Sequence, residues 1–161
     1  MFALLMLAAS GSGSTARFSV DGTTSTSSTT VVTIQPRTGA PGYSWLRISF
    51  YASPLSSDDR ASATKGRVDA MKAKWSAVLQ LTVDKDATVW QVDLALPGHT
   101  CTIAESDREA KKALQEFQFD GKHLRLRGKG SYVCDLRLLK TPNQTFGWDV
   151  DVDAPVVETA R

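Results

Sequence analysis

Asp149, Asp151 and Asp153 occupy alternate positions near the end of the chain, and Lys122, Arg125, Arg127, Lys129 and Arg137 precede them. In a loop, D-x-D-x-D can wrap its oxygens around Ca²⁺. In a strand, alternate residues stand about 6–7 Å apart on one face and cannot converge on one ion. Trp148, Val150 and Val152 fill the intervening positions, which is the pattern of a half-buried strand. No Gly and Glu follow at EF-hand spacing, so the row reads as a solvated strand face and no metal is assigned. The basic row is its complement. If the last strand lies beside the basic segment, Arg–Asp pairs form across the strands. The functional reading of the same row is an anion or acidic-glycan surface carried by Arg125 and Arg127.

His99, Cys101, His123 and Cys134 are the other residues whose types invite chemistry. A thiolate nucleophile needs a base and an accessible sulfur of low pKa. Papain-like and caspase-like local signatures are absent, and no C-x-x-C or H-x3-H pair supports zinc. No catalytic residue and no cofactor is assigned. Cys101 shares strand parity with Ile103, and Cys134 shares it with Tyr132, Leu136 and Leu138, so both sulfurs are expected on the apolar side. In an oxidising compartment the pair reads as one disulfide, stabilising by roughly 3–4 kcal/mol in the chain-entropy model. Two buried free thiols are the alternative.

Trp45 and Tyr51 lie on the polar face of a strand with Arg47 between them. Exposed aromatics on a sheet stack on sugar rings or partner side chains, and burial beneath a helix is the competing reading. Trp45, Arg47 and Tyr51 are therefore the first candidates for ligand binding, with Arg125 and Arg127 the second set. Asn143-Gln144-Thr145 is a glycosylation sequon that matters only in a eukaryotic secretory host.

These residues need a frame. Phe18 and Val20 alternate before an Asp21-Gly22 turn, within a Ser/Thr/Gly-rich leader. Strands are expected over Thr30–Gln35, Tyr43–Ala52, Ala77–Val83 and Thr88–Leu96, with Leu46, Ile48 and Phe50 on one face of the second. Trp90, Val92, Leu94 and Leu96 are expected to share a face of the fourth. A short strand carries Cys101, His123–Arg127 and Ser131–Leu139 form a basic hairpin turning at Gly128-Lys129-Gly130, and Phe146–Val152 is the last strand. One helix is expected from Ser56–Ser57 onward, with Ala61, Thr64, Val68, Met71 and Trp75 as its stripe. A second runs from Ser106 to Gln118 behind a Ser106–Glu109 capping box, with Ala110, Ala113, Leu114 and Phe117 as its stripe. The fold class is therefore α+β: a mainly antiparallel sheet of about eight strands, curled or sandwich-like, with two helices.

Composition bounds the rest. The chain has 161 residues, 42% hydrophobic and 22% charged, which suits one domain with a sizeable core. A net charge of +2 is too weak to predict a nucleic-acid partner. Met1–Ser10 is apolar, too short to span a bilayer, and has the length of a signal-peptide core ending in small residues, although no Lys or Arg precedes Arg17. The expected organisation is a signal-like segment over 1–10, a leader with one short strand over 11–30, a single β-rich domain over 30–155 and a loose tail over 156–161.

Phe18-Ser19-Val20-Asp21-Gly22, the Leu46-Arg47-Ile48 strand and Ser53-Pro54-Leu55 carry a faint resemblance to uncharacterised bacterial exported β-domain proteins, covering about a third of the chain. The resemblance implies a secreted or periplasmic location and no activity. A lipocalin-like barrel would carry Gly-x-Trp at its first strand; here Gly42 and Trp45 are one residue too far apart and sit in a later strand. The functional expectation is an exported, non-enzymatic domain that binds a protein, a glycan or a small apolar ligand. The alternative is a hydrolase pairing Glu105 with one of the terminal aspartates.

Overall fold

The computed structural model describes residues 13–36, 44–64, 78–96, 99–104, 114–134 and 143–158. The chain enters through a hairpin of β1 (Thr15–Val20) and β2 (Thr23–Thr26). Its turn is Asp21-Gly22, both at positive φ (45° and 85°), the backbone that matches the twist of a tight hairpin. A meander follows: β3 (Thr29–Pro36), β4 (Ser44–Tyr51), β5 (Val78–Asp84), β6 (Val89–Leu96) and β7 (His99–Ala104), with α1 (Ser57–Thr64) between β4 and β5. The last strands are β8 (Leu114–Phe119), β9 (His123–Cys134), β10 (Gln144–Pro155) and β11 (Val157–Glu158).

These strands form two sheets. The first has five strands in the order β2-β1-β10-β9-β8, and the second has six in the order β11-β3-β4-β5-β6-β7. All pairings are antiparallel except β11 with β3. One face of each sheet is apolar, and the two faces share one core. Phe18, Trp148, Val150, Leu124 and Leu126 come from the first sheet; Leu46, Ile48, Phe50, Leu79 and Leu81 come from the second. The chain crosses between sheets at a two-residue corner. Ser27 N–H donates to Ala16 O in the first sheet, and Ser28 N–H donates to Tyr51 O in the second, both at 2.8 Å.

Several expectations change. The described chain has eleven strands and one helix rather than eight and two. Residues 15–26, expected as a leader with one strand, supply two strands, and Ala16 and Phe18 are core residues. The tail adds β11 to the edge of β3. The expected helix over Ser106–Gln118 ends instead in a strand: Leu114–Phe119 is β8, with Phe117 and Phe119 packed on the core. Leu114 and Phe117 fit a helical stripe, but Phe117 and Phe119 fit alternation equally, and pairing to β9 decides between them. The capping box itself lies outside the described residues. The expected turn at Gly128-Lys129-Gly130 is also absent, because β9 runs straight through it. Neither glycine takes a positive φ. Both lie opposite large β10 residues, Val150 and Trp148. A Cβ on Gly130 would fall 2.6 Å from Trp148 Nε1, so this glycine makes room for an indole.

The first helix begins as its sequence suggests. Asp59 N–H donates to Ser56 Oγ (3.2 Å), and Ser56 O–H donates to Asp59 Oδ2 (2.7 Å). Its buried contact is Ala63 rather than Ala61, packed with Val31, Tyr51, Leu55 and Val78 in a small second core on the outer side of the six-stranded sheet. The rest of its expected stripe, from Lys65 on, lies outside the described residues. Among them, no helix is long and apolar enough to cross a membrane.

Candidate functional site

The five candidate binding residues divide between opposite outer surfaces. Strand alternation puts Leu46, Ile48 and Phe50 in the core, so Trp45, Arg47, Ser49 and Tyr51 take the outer face of the six-stranded sheet. Arg125 and Arg127 alternate with core Leu124 and Leu126, and so take the outer face of the five-stranded sheet. No single site contains both sets.

On the six-stranded sheet the organising residue is Asp84, only 5% exposed at the end of β5. Its Oδ1 accepts from the N–H groups of Asp86 and Thr88, both at 2.9 Å, which builds the turn into β6. Its Oδ2 accepts from Trp90 Nε1 at 2.8 Å. Trp90 reaches this position through a bulge. Val89 pairs with Val83 and Gln91 pairs with Thr82, so Trp90 is an extra residue and joins the outer face. Its expected place on the core face with Val92 and Leu94 is thereby overturned. The rings of Trp45 and Trp90 meet edge to face, with centroids 5.3 Å apart and planes at 83°. Trp90 keeps 38% of its surface exposed.

Beside this aromatic corner the sheet is polar and covered. Ser49, Gln80 and Asp93 form one cross-strand row, each 4% exposed. Gln80 Nε2 donates to Ser49 Oγ, and Gln91 Nε2 donates to Asp93 Oδ2, both at 2.8 Å. Such pairing is what allows polar groups to be buried. Tyr51 is fully buried under α1 and its neighbours. Burial pushes its phenol up to about 12, against the opposing pull of a Ser49 hydrogen bond and the Arg47 charge. Of the sequence candidates here, Trp45 meets an exposed ring, Arg47 is half-buried next to it, and Tyr51 belongs to packing.

On the five-stranded sheet the acid and basic rows stand side by side. Asp153 pairs in register with Arg125, and Asp151 pairs with Arg127. Arg125 Nη1 lies 2.8 Å from Asp153 Oδ2, Arg125 Nε lies 3.6 Å from Glu116 Oε1, and Arg127 Nε lies 3.4 Å from Asp151 Oδ2. His123 Nε2 lies 2.5 Å from Asp153 Oδ1. Contact with His123, then with Arg125, holds the Asp153 carboxyl below its usual range, while the bond to Asp153 raises Arg125. The expected cross-strand pairs are therefore present, and they compensate the charge of Arg125 and Arg127.

Among the described residues this ion-pair ladder stops short of Arg17, Lys129 and Asp149, which share the next register row. There the surface sinks into an open trough of about 580 Å³, with Ser19, Ser131 and Gly147 among its lining residues. A Cβ on Gly147 would meet Ser19 Oγ at 2.9 Å, so the missing side chain is what leaves room over β10. Arg17 escaped the sequence reading because β1 resembled a leader. Trp90 escaped it because a bulge has no signature in a single sequence.

Between the sheets, Leu79, Leu94, Tyr132, Phe146 and Trp148 surround a void of about 10 Å³, at the lower limit for one water. Among the described residues no group of three or more His, Cys, Asp or Glu could hold a metal ion. Glu105, the expected partner in a carboxylate pair, lies outside the described residues. Among the described residues, fold and surface together describe a two-sheet β protein with a shared apolar core and an open trough on one outer face. No family model matches the chain, and no curated protein or solved structure is significantly similar to it.

Proposed function

We propose that this chain is an exported, non-enzymatic binding module that holds a glycan against the Trp45–Trp90 corner. The observation that carries the reading is the fixed indole of Trp90. Its N–H is committed to a buried carboxylate and its ring packs edge to face with that of Trp45, so the part of the indole that stays exposed is a preorganised face for stacking. Sugar rings stack on such faces through their C–H groups, and Gln91, Thr82 and Arg47 beside the corner match hydroxyls. A protein partner would want a contiguous apolar patch. Here the exposed large apolar residues among those described are Trp90 and Val133, on different sheets. A small apolar ligand would want interior room, and the inter-sheet void has about 10 Å³. Export is supported by the apolar Met1–Ser10 segment.

Affinity gel electrophoresis through soluble neutral polysaccharides (a β-glucan, a xylan and a mannan) tests this. The parent chain is expected to be retarded by at least one, and Trp90→Ala to migrate as in a plain gel while keeping its circular dichroism. No retardation across the panel, or equal retardation of Trp90→Ala, overturns the reading. A second reading rests on the trough: Arg17 and Lys129, outside the ion-pair ladder, suit the carboxylate of an acidic sugar. Retardation by polygalacturonate that is lost in Arg17→Ala and unchanged in Trp90→Ala would favour it.

A further inference from the structure

We propose that Cys101 and Cys134 form a disulfide that clasps the two sheets together on the side away from the Ser27–Ser28 corner. Cys101 lies on β7, the edge strand of the six-stranded sheet, and Cys134 ends β9 in the five-stranded sheet. β8 pairs with β9 only from Leu124 to Gly128. The remainder of β9, from Lys129 to Cys134, is paired on its β10 side alone in the sheet order, and β7 comes up against β9. Register carries the placement further. Cys101 pairs with Leu94, a core residue, which puts it at a core-face position of β7. Cys134 pairs with Gln144, one alternation beyond the Tyr132–Phe146 pair. Leu94, Tyr132 and Phe146 all border the same inter-sheet void. Both cysteines therefore hold core-face register positions on two strands that approach each other, and the clasp requires their Cα atoms to lie within about 7 Å.

The bond forms by thiol–disulfide exchange. One cysteine thiolate attacks a sulfur of an external disulfide, expelling one thiolate of that oxidant. The second cysteine thiolate then attacks the mixed disulfide, closing the Cys101–Cys134 bond and expelling the other. Two protons and two electrons leave the chain, and the external disulfide is reduced to two thiols. The clasp joins β7 to the strand that its own sheet does not reach, so its loss is expected to free the β7 edge first.

The test uses the full chain incubated with oxidised glutathione. Thiol titration in denaturant without reductant is expected to find no free thiol, and digestion without reductant to yield one intrachain peptide pair joining Cys101 to Cys134, shifted by the loss of two hydrogens. Hydrogen exchange is expected to show the β6–β7 amides opening at least tenfold faster after reduction, with the β1–β10 amides unchanged. Two free thiols in the oxidant-treated chain, glutathione adducts on both cysteines, or peptides linked between chains would each overturn the clasp. These measurements need no ligand, so their outcome is independent of the glycan experiment.

Discussion

At the scale of single residues, buried polar groups set the outer face of the six-stranded sheet. Asp84 accepts three hydrogen bonds with its two oxygens, so the same carboxylate shapes a turn and aims an indole. Tyr51 shows the cost of burying an ionisable group. Its folded-state phenol titrates at about 12 against an ordinary value of 10.0. Below pH 10 the phenol is neutral in both states and its burial adds no pH dependence to stability. Above it the unfolded chain releases this proton first, so stability falls as pH rises from 10 to 12, by roughly 2–3 kcal/mol in all. Tyr51 is expected to ionise only above pH 10, with the unfolding transition, in an absorbance titration. Tyr51→Phe is expected to remove that step and flatten the alkaline limb, while an alkaline limb unchanged in Tyr51→Phe would contradict the assignment. The alternation of Trp45, Arg47 and Tyr51 was legible from sequence because period-two patterning needs no tertiary information. Trp90 was not, because its face depends on a bulge.

At the scale of elements, β9 and β8 show where local reading fails. Two glycines near a basic run look like a turn, yet they continue a strand, and Trp148 occupies the space a side chain at Gly130 would take. Gly130→Ala is therefore expected to destabilise by about 1–3 kcal/mol in urea unfolding, since the indole it meets is buried and cannot swing away. Gly147→Ala comes close to the Ser19 hydroxyl, a short side chain on a half-open surface, and is expected to cost less. Similar costs for the two would mean that Trp148 relaxes. The strands β3, β4, β5, β6 and β10 were legible because apolar residues recur at alternate positions along much of each. β8 was not: a six-residue strand with three apolar side chains satisfies helical and alternating templates alike, and its partner decides.

At the scale of the whole molecule, the closing contacts join the two ends of the sequence. β1 lies between β2 and β10, so residues that read as a polar leader complete the five-stranded sheet. A chain shortened to begin at Thr30 would lose Ala16 and Phe18 from the core and leave β10 unpaired along one side. It is expected to lose its cooperative thermal transition, followed by near-ultraviolet circular dichroism. An unchanged transition would show that the first two strands are dispensable. Sequence reading underweighted this segment because Ser and Thr are common to linkers and to edge strands.

The composition of β2 has one more effect. Thr23–Thr26 is four residues long, contains only Thr and Ser, and forms the outermost strand of its sheet, while the two-residue β11 covers the flank of β3. An open strand flank is a template on which another chain can polymerise, and short, hydrophilic borders are poor templates. The threonine-rich entry to the fold thus protects it against fibrillar growth along this side, a role that depends on the very polarity that made the segment look unstructured.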